Sequence, residues 1–270
     1  MTHRRQGRTS VWLVLVTMVL CGSCKKRETH AFDRSGTSTT AVSTTGVPVP
    51  VRARSIHIGM GTVSENYRRP LECDSCLDDA RWYASTASDN GYVAETPFLD
   101  GAAEADKILD KIKAVGADLQ QNGGGTLLIT FNGHGGQMPP AAPNAQTWCA
   151  WDRQIQDKEL LATLAILDQS VRVIIISDSC YSGGMLTEGL PPRWISAEFG
   201  AALLAIPPEH QNELWKRDGQ MYTKIFRQAQ RDLDRNPLRS ADILIAAAGP
   251  NDRAYHSGTN GLSVFTGAVA

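Results

Sequence analysis

The chain has almost no charge imbalance: 27 Lys and Arg stand against 28 Asp and Glu in 270 residues, a formal net charge of −1. It also has no basic run interleaved with aromatics, so nothing draws it toward nucleic acid. No apolar run is long enough to cross a bilayer comfortably. The best candidate, Val11 to Leu20, falls well short of the roughly 20 residues a spanning helix needs. Internal repeats are absent, which excludes a solenoid. The six cysteines include one Cys-x-x-Cys pair, Cys73 and Cys76. No second half follows at metal-binding spacing, and this weighs against a structural zinc site. What remains is 42% apolar and 20% charged, an ordinary globular balance with enough length for one sizeable core.

The first fifty residues differ in kind. Arg4, Arg5 and Arg8 precede the apolar Val11 to Leu20, and Gly22-Ser23-Cys24 follows. A positive head, a short apolar run and small residues at a cut site form the order of a secretory signal. Small residues ending on a cysteine resemble a bacterial lipoprotein signal with Cys24 as the lipidated residue. Cys21 stands where that signal usually has leucine, and an ordinary signal peptide or an uncleaved anchor would share the earlier features. Residues 1–24 are read as the signal and 25–52 as a Ser/Thr-rich linker, which lacks periodicity and cannot bury a core. The expected location is the bacterial cell envelope, with membrane attachment through the N-terminal lipid.

From residue 53 onward strand and helix signals alternate. Strands are predicted at Arg54 to Met60, Thr126 to Phe131, Val171 to Ser177 and Ile243 to Ala248. Helices are predicted at Cys76 to Ser88, Ala105 to Leu119, Asp157 to Asp168 and Met221 to Asp234, with a last one opening in Gly261 to Ala270. Such alternation implies an α/β domain, a mostly parallel sheet flanked by helices on both faces. Sites in these sheets form at the carboxyl ends of strands. Two reactive residues fall there: His134 after the second strand and Cys180 after the third, 46 positions apart.

The two segments read Asn132-Gly133-His134-Gly135-Gly136 and Asp178-Ser179-Cys180-Tyr181-Ser182-Gly183-Gly184. Glycines let the backbone turn sharply and let substrate come close. A thiol is mostly protonated at neutral pH, so an adjacent imidazole must generate the thiolate and then protonate the leaving amine. Backbone N–H groups at Gly135 and Cys180 are candidates to hold the developing oxyanion. Either residue alone would more often be structural. Together, on successive strand ends, they point to a Cys–His pair.

Those segments resemble a known family. Leu128 to Gln137, LITFNGHGGQ, is similar to the histidine strand of metacaspases and related bacterial caspase-like peptidases. Ser177 to Gly184, SDSCYSGG, is similar to their cysteine strand, with Tyr181 in place of a second histidine. Leu71 to Ala80 resembles the family's first helix, with Asp78 for the usual Asn. Trp148 to Leu160 resembles the stretch leading into its Asp-Asp-Glu-Leu helix, and Gly261 to Thr266 its late Gly-x-Phe-Thr segment. The resemblance implies a caspase-like peptidase domain over residues 53–270, with 191–240 as an insertion that could form a lid or carry self-cleavage sites. Its substrate would be a protein or peptide.

The resemblance also implies a pocket of Cys76, Asp79, Asn132 and Asp178 that selects Arg or Lys. Two carboxylates converging on one cleft suit a guanidinium and repel an Asp side chain. Calcium activates many relatives, yet only Asp157 and Glu159 look related to the family's calcium ligands, and Thr187 stands where an aspartate is usual. No cofactor is therefore expected, with calcium kept as an open alternative that the missing carboxylates weigh against. Cys73 and Cys76 could be a redox pair, or Cys73 could pair with Cys149 in an oxidising compartment.

Overall fold

The structure, a computed structural model, describes residues 52–138, 145–185, 204–248, 254–255 and 261–270. In chain order its elements are β1 (Ala53–Gly59), α1 (Cys76–Asp89), β2 (Val93–Ala94), β3 (Phe98–Leu99), α2 (Ala105–Gln121), β4 (Gly125–Asn132), β5 (Gly135–Gln137), β6 (Gln146–Cys149), β7 (Gln154–Gln156), α3 (Asp157–Leu164), β8 (Val171–Asp178), α4 (Pro208–Arg235), β9 (Ala241–Ala246) and α5 (Val264–Val269). The main sheet runs β2-β1-β4-β8-β9, with β3 also on β1, and every pairing in it is parallel. A small antiparallel sheet, β5-β6-β7, stands beside it.

The expected α/β architecture holds, and alternate residues of the central strands explain it. Leu127, Ile129 and Phe131 face a core with Ile108, Leu109 and Ile112 of α2 and Leu160 and Leu164 of α3. Leu128, Ile174 and Ile176 face Tyr83 and Ala87 of α1, with Phe265 and Val269 of α5. Strands buried on both faces read as continuous apolar runs, as β8 does, and need a helix layer on each side. The arrangement is consistent with a caspase-like fold.

The second face also carries a polar row near the carboxyl ends of the strands. His57 of β1 hydrogen-bonds Thr130 of β4 at 3.0 Å and Ser55 at 2.9 Å, and burial lowers its pKa to about 4. Asn132 and Asp178 lie directly opposite each other at the ends of β4 and β8. Strand parity thus delivers Asn132 and Asp178 to the side that α1 covers.

Most boundaries moved by one to three residues, but α3 ends at Leu164 rather than Asp168. The larger departure is α4. Its predicted start at Met221 gives way to Pro208, so thirteen more residues are helical and half of the expected insertion is a packed element. Pro208 sits at the first helical position, where a missing N–H costs nothing. His210 donates to Tyr67 O, and Tyr222 OH accepts the Gln154 N–H at 3.1 Å, which seats α4 against β7. Residues 191–203 of the expected insertion, and Cys24 with its linker, lie outside the described residues.

Candidate active site

β4 and β8 pair in register from Gly125↔Val171 to Asn132↔Asp178. His134 and Cys180 each stand two positions beyond that last pair, so the register alone brings their loops to one level. Three backbone hydrogen bonds pin the histidine turn. Gly133 N–H donates to Asp178 O at 3.2 Å, Cys149 N–H donates to His134 O at 3.0 Å, and Met60 N–H donates to Asn132 O at 2.9 Å. Under this turn Trp148 stacks on Phe131, centroids 4.6 Å apart, and its indole N–H reaches Ser177 Oγ at 2.9 Å. On the other strand, Tyr181 takes φ +58° directly after the cysteine. That is a costly conformation for a non-glycine residue, and it turns the chain sharply at Cys180.

The two loops touch through their backbones. A Cβ added at Gly135 would lie 1.9 Å from the Cys180 carbonyl oxygen, so only glycine fits. The N–H groups of Gly135 and Cys180 converge on a single oxygen: Leu204 O accepts from Gly135 at 2.8 Å and from Cys180 at 3.2 Å. Cys180 Sγ accepts the Ala254 N–H at 3.0 Å. Cys180 is 1% exposed and His134 5%. The structure therefore brings the Cys180 thiol and the pair of N–H donors into one buried corner, with the backbone of the His134 turn packed against it.

The expected pocket residues also converge. Ser263, the N-cap of α5, donates its N–H to Asp79 Oδ1 at 2.9 Å and its hydroxyl to Asp178 Oδ2. Thr266 Oγ1 donates to Asp178 Oδ2 at 2.9 Å, and Asn132 Nδ2 reaches Thr266 Oγ1 at 3.5 Å. Asp79 Oδ2, Asp178 Oδ1 and Asn132 Oδ1 are buried and find no hydrogen-bond partner among the described residues. Burial, then the neighbouring Asp178 charge, pushes Asp79 up to about 7; burial pushes Asp178 up to about 6. No cation among the described residues pairs with either acid. Three orphaned acceptors in a buried corner are costly unless a donor reaches them.

The structure decides between the two cysteine pairings left open by the sequence. Cys73 is bonded to Cys76, not to Cys149, and Cys149 is an unbridged thiol whose pKa burial drives far up. Cys76 opens α1 and belongs to one buried cluster with Cys73, Cys180, Leu204, Ala248 and Ala254. It thus lies beside Cys180, but as a disulfide sulfur rather than the free pocket-lining thiol that was expected. Asp157 accepts backbone N–H groups from Lys158 and Gln146, and Glu159 is paired with Arg153. Asp157 and Glu159 thus have other partners, and no cluster of three metal-ligating side chains occurs among the described residues.

Four contributors had no site role assigned from the sequence: Leu204 and Ala254, and Ser263 and Thr266 within the Gly261 to Thr266 segment. Leu204 and Ala254 act through backbone groups, which leave no mark on residue type. Ser263 does carry a signal, because a Ser before a short apolar run is an N-cap pattern.

The fold and site define a mainly parallel α/β protein with the His134 and Cys180 turns side by side at the strand ends. No family profile matches the chain, and no curated protein does. Among solved structures it is similar to the crystal structure of protein GSU0716 from Geobacter sulfurreducens, a structural genomics target. The TM-score is 0.62 at 24% identity, covering 80% of this chain and 79% of that one. A likeness at that identity speaks to the fold.

Proposed function

We propose that the chain is a caspase-like cysteine endopeptidase of the metacaspase type that cleaves after Arg or Lys. The observation that carries the reading is the convergence of the Gly135 and Cys180 N–H groups on one carbonyl oxygen, beside the Cys180 thiol. Two backbone donors aimed at one point are what a developing oxyanion requires. His134 takes the thiol proton, and Cys180 Sγ attacks the peptide carbonyl carbon. The oxygen gains charge between the two N–H groups. As the intermediate collapses, the C–N bond breaks and His134 delivers the proton to the leaving amine. Water, deprotonated by His134, then attacks the thioester; the acid leaves and the thiol reforms.

Specificity is supported by the orphaned oxygens of Asp79, Asp178 and Asn132, which a guanidinium or ammonium would satisfy. The N-terminal pattern around Cys24 supports a place in the bacterial cell envelope with the domain tethered by lipid. Among the described residues no helix is long and apolar enough to cross a membrane.

A second reading is favoured by the near-complete burial of Cys180: an inactive caspase-like domain used for surface binding. The full chain, incubated with fluorogenic peptides ending in Arg, Lys, Asp or Asn, separates the two. The peptidase reading expects turnover of Arg and Lys peptides that Cys180→Ala abolishes. Equal signal in both proteins contradicts the mechanism, and preference for Asp contradicts the pocket.

A further inference from the structure

We propose that the segment Leu204-Ala205-Ile206 is a built-in occupant of the substrate's seat, so that the folded chain is latent until this segment is displaced. The inference rests on the peptidase reading above, because it takes Gly135 and Cys180 as the oxyanion donors. Leu204 O receives both of those N–H groups, at 2.8 and 3.2 Å. Ile206 N–H returns a bond to Gly135 O at 3.1 Å, which makes Gly135 and Ala205 a parallel β-bridge. On its other side, Leu204 N–H donates to Ala254 O at 3.0 Å. Main-chain bonds on both sides of an extended segment are how a groove holds a peptide.

The Leu204 side chain is fully buried in the cluster that holds Cys180 and the Cys73–Cys76 disulfide. A substrate carbonyl cannot reach the two donors while Leu204 O holds them. The Ala254 N–H also occupies the sulfur, which leaves Cys180 1% exposed.

The segment fits the backbone seat but not the charged one. Leucine offers nothing to Asp79 and Asp178, and one oxygen of each carboxylate stays without a partner among the described residues. An incoming Arg or Lys peptide would make the same main-chain bonds and satisfy those oxygens as well. This difference favours exchange of the occupant for a cationic substrate over a neutral or acidic one. It also accounts for an internal segment lying at the nucleophile as an occupant rather than a substrate.

The test uses the full chain and iodoacetamide, with alkylation of Cys180 followed by peptide-mapping mass spectrometry. Cys149, also buried and unbridged, is the internal reference. Leu204→Asp places a charge in an apolar seat beside two acids. It is expected to speed alkylation of Cys180 by about tenfold or more through local opening, without speeding that of Cys149. Leu204→Ala, a milder change, is expected to give a smaller rise on the same residue. If Leu204→Asp unfolds the domain, Cys149 becomes reactive too, and Leu204→Ala decides. Wild-type rates at Cys180 in a folded variant overturn the proposal. Turnover of an Arg peptide is read in parallel. Faster alkylation with no turnover shows that Leu204 covers Cys180 but removes the peptidase reading, and the substrate's seat with it; turnover with unchanged alkylation keeps the peptidase reading and overturns the occupant.

Discussion

Asp79 and Asp178 make the stability of the folded chain depend on pH. Both carboxyls are raised in the folded chain, to about 7 and about 6, by burial and, for Asp79, by its neighbour's charge. A raised acid makes its full contribution to stability below its unfolded pKa of about 4, and that contribution is lost as pH climbs through the folded value. Asp79→Asn keeps the shape and removes the titration. Its stability relative to wild type should therefore rise between pH 4.5 and pH 8, as read from urea midpoints at the two pH values. The same change should cut kcat/KM on Arg peptides by about 10- to 100-fold, because a hydrogen bond to a charged group contributes roughly 1.5–3 kcal/mol. Stability and activity moving in opposite directions would mark these acids as functional rather than structural. Their residue types and spacing were legible in the sequence. Their orphaned oxygens were not, since those depend on what α5 brings over them.

At the scale of elements, the site is a contact between two turns that only a glycine permits. Gly135→Ala would drive a methyl group into the Cys180 carbonyl, so the loops must separate. The expected result is loss of peptide turnover and a stability loss of about 1–3 kcal/mol, the usual cost of overpacking, measured by chemical denaturation. The Cys73–Cys76 disulfide closes a very short loop at the start of α1. Loop entropy then limits its contribution to about 2 kcal/mol, and a reductant should lower the urea midpoint of wild type but not of Cys73→Ser. Strands β4 and β8 were readable because a parallel strand buried on both faces is one apolar run. The strands β5, β6 and β7 were not. Gly135-Gly136-Gln137 and Gln154-Ile155-Gln156 have neither the length nor the alternation that marks a strand. The first half of α4 was also hidden, because its charged residues outnumber the few it buries, His210, Gln211 and Leu214.

For the whole molecule, the topology accounts for the site's location. Parallel strands all point their carboxyl ends one way, and the central pair β4 and β8 delivers the histidine and cysteine turns side by side. Alternation of strand and helix made this architecture legible before any coordinate. The closed state of the site was not legible, because Leu204 and Ala254 enter through main-chain atoms. The most direct measurement treats the full chain with irreversible peptidyl ketones ending in Arg or Asp and locates the adduct by mass spectrometry. An irreversible label accumulates even when the open state is rare. An adduct on Cys180 is expected with the Arg reagent, absent in Cys180→Ala, strongly slowed in His134→Ala, and formed at least tenfold faster than with the Asp reagent. An adduct that bypasses Cys180, or equal rates for the two reagents, would contradict the proposed function.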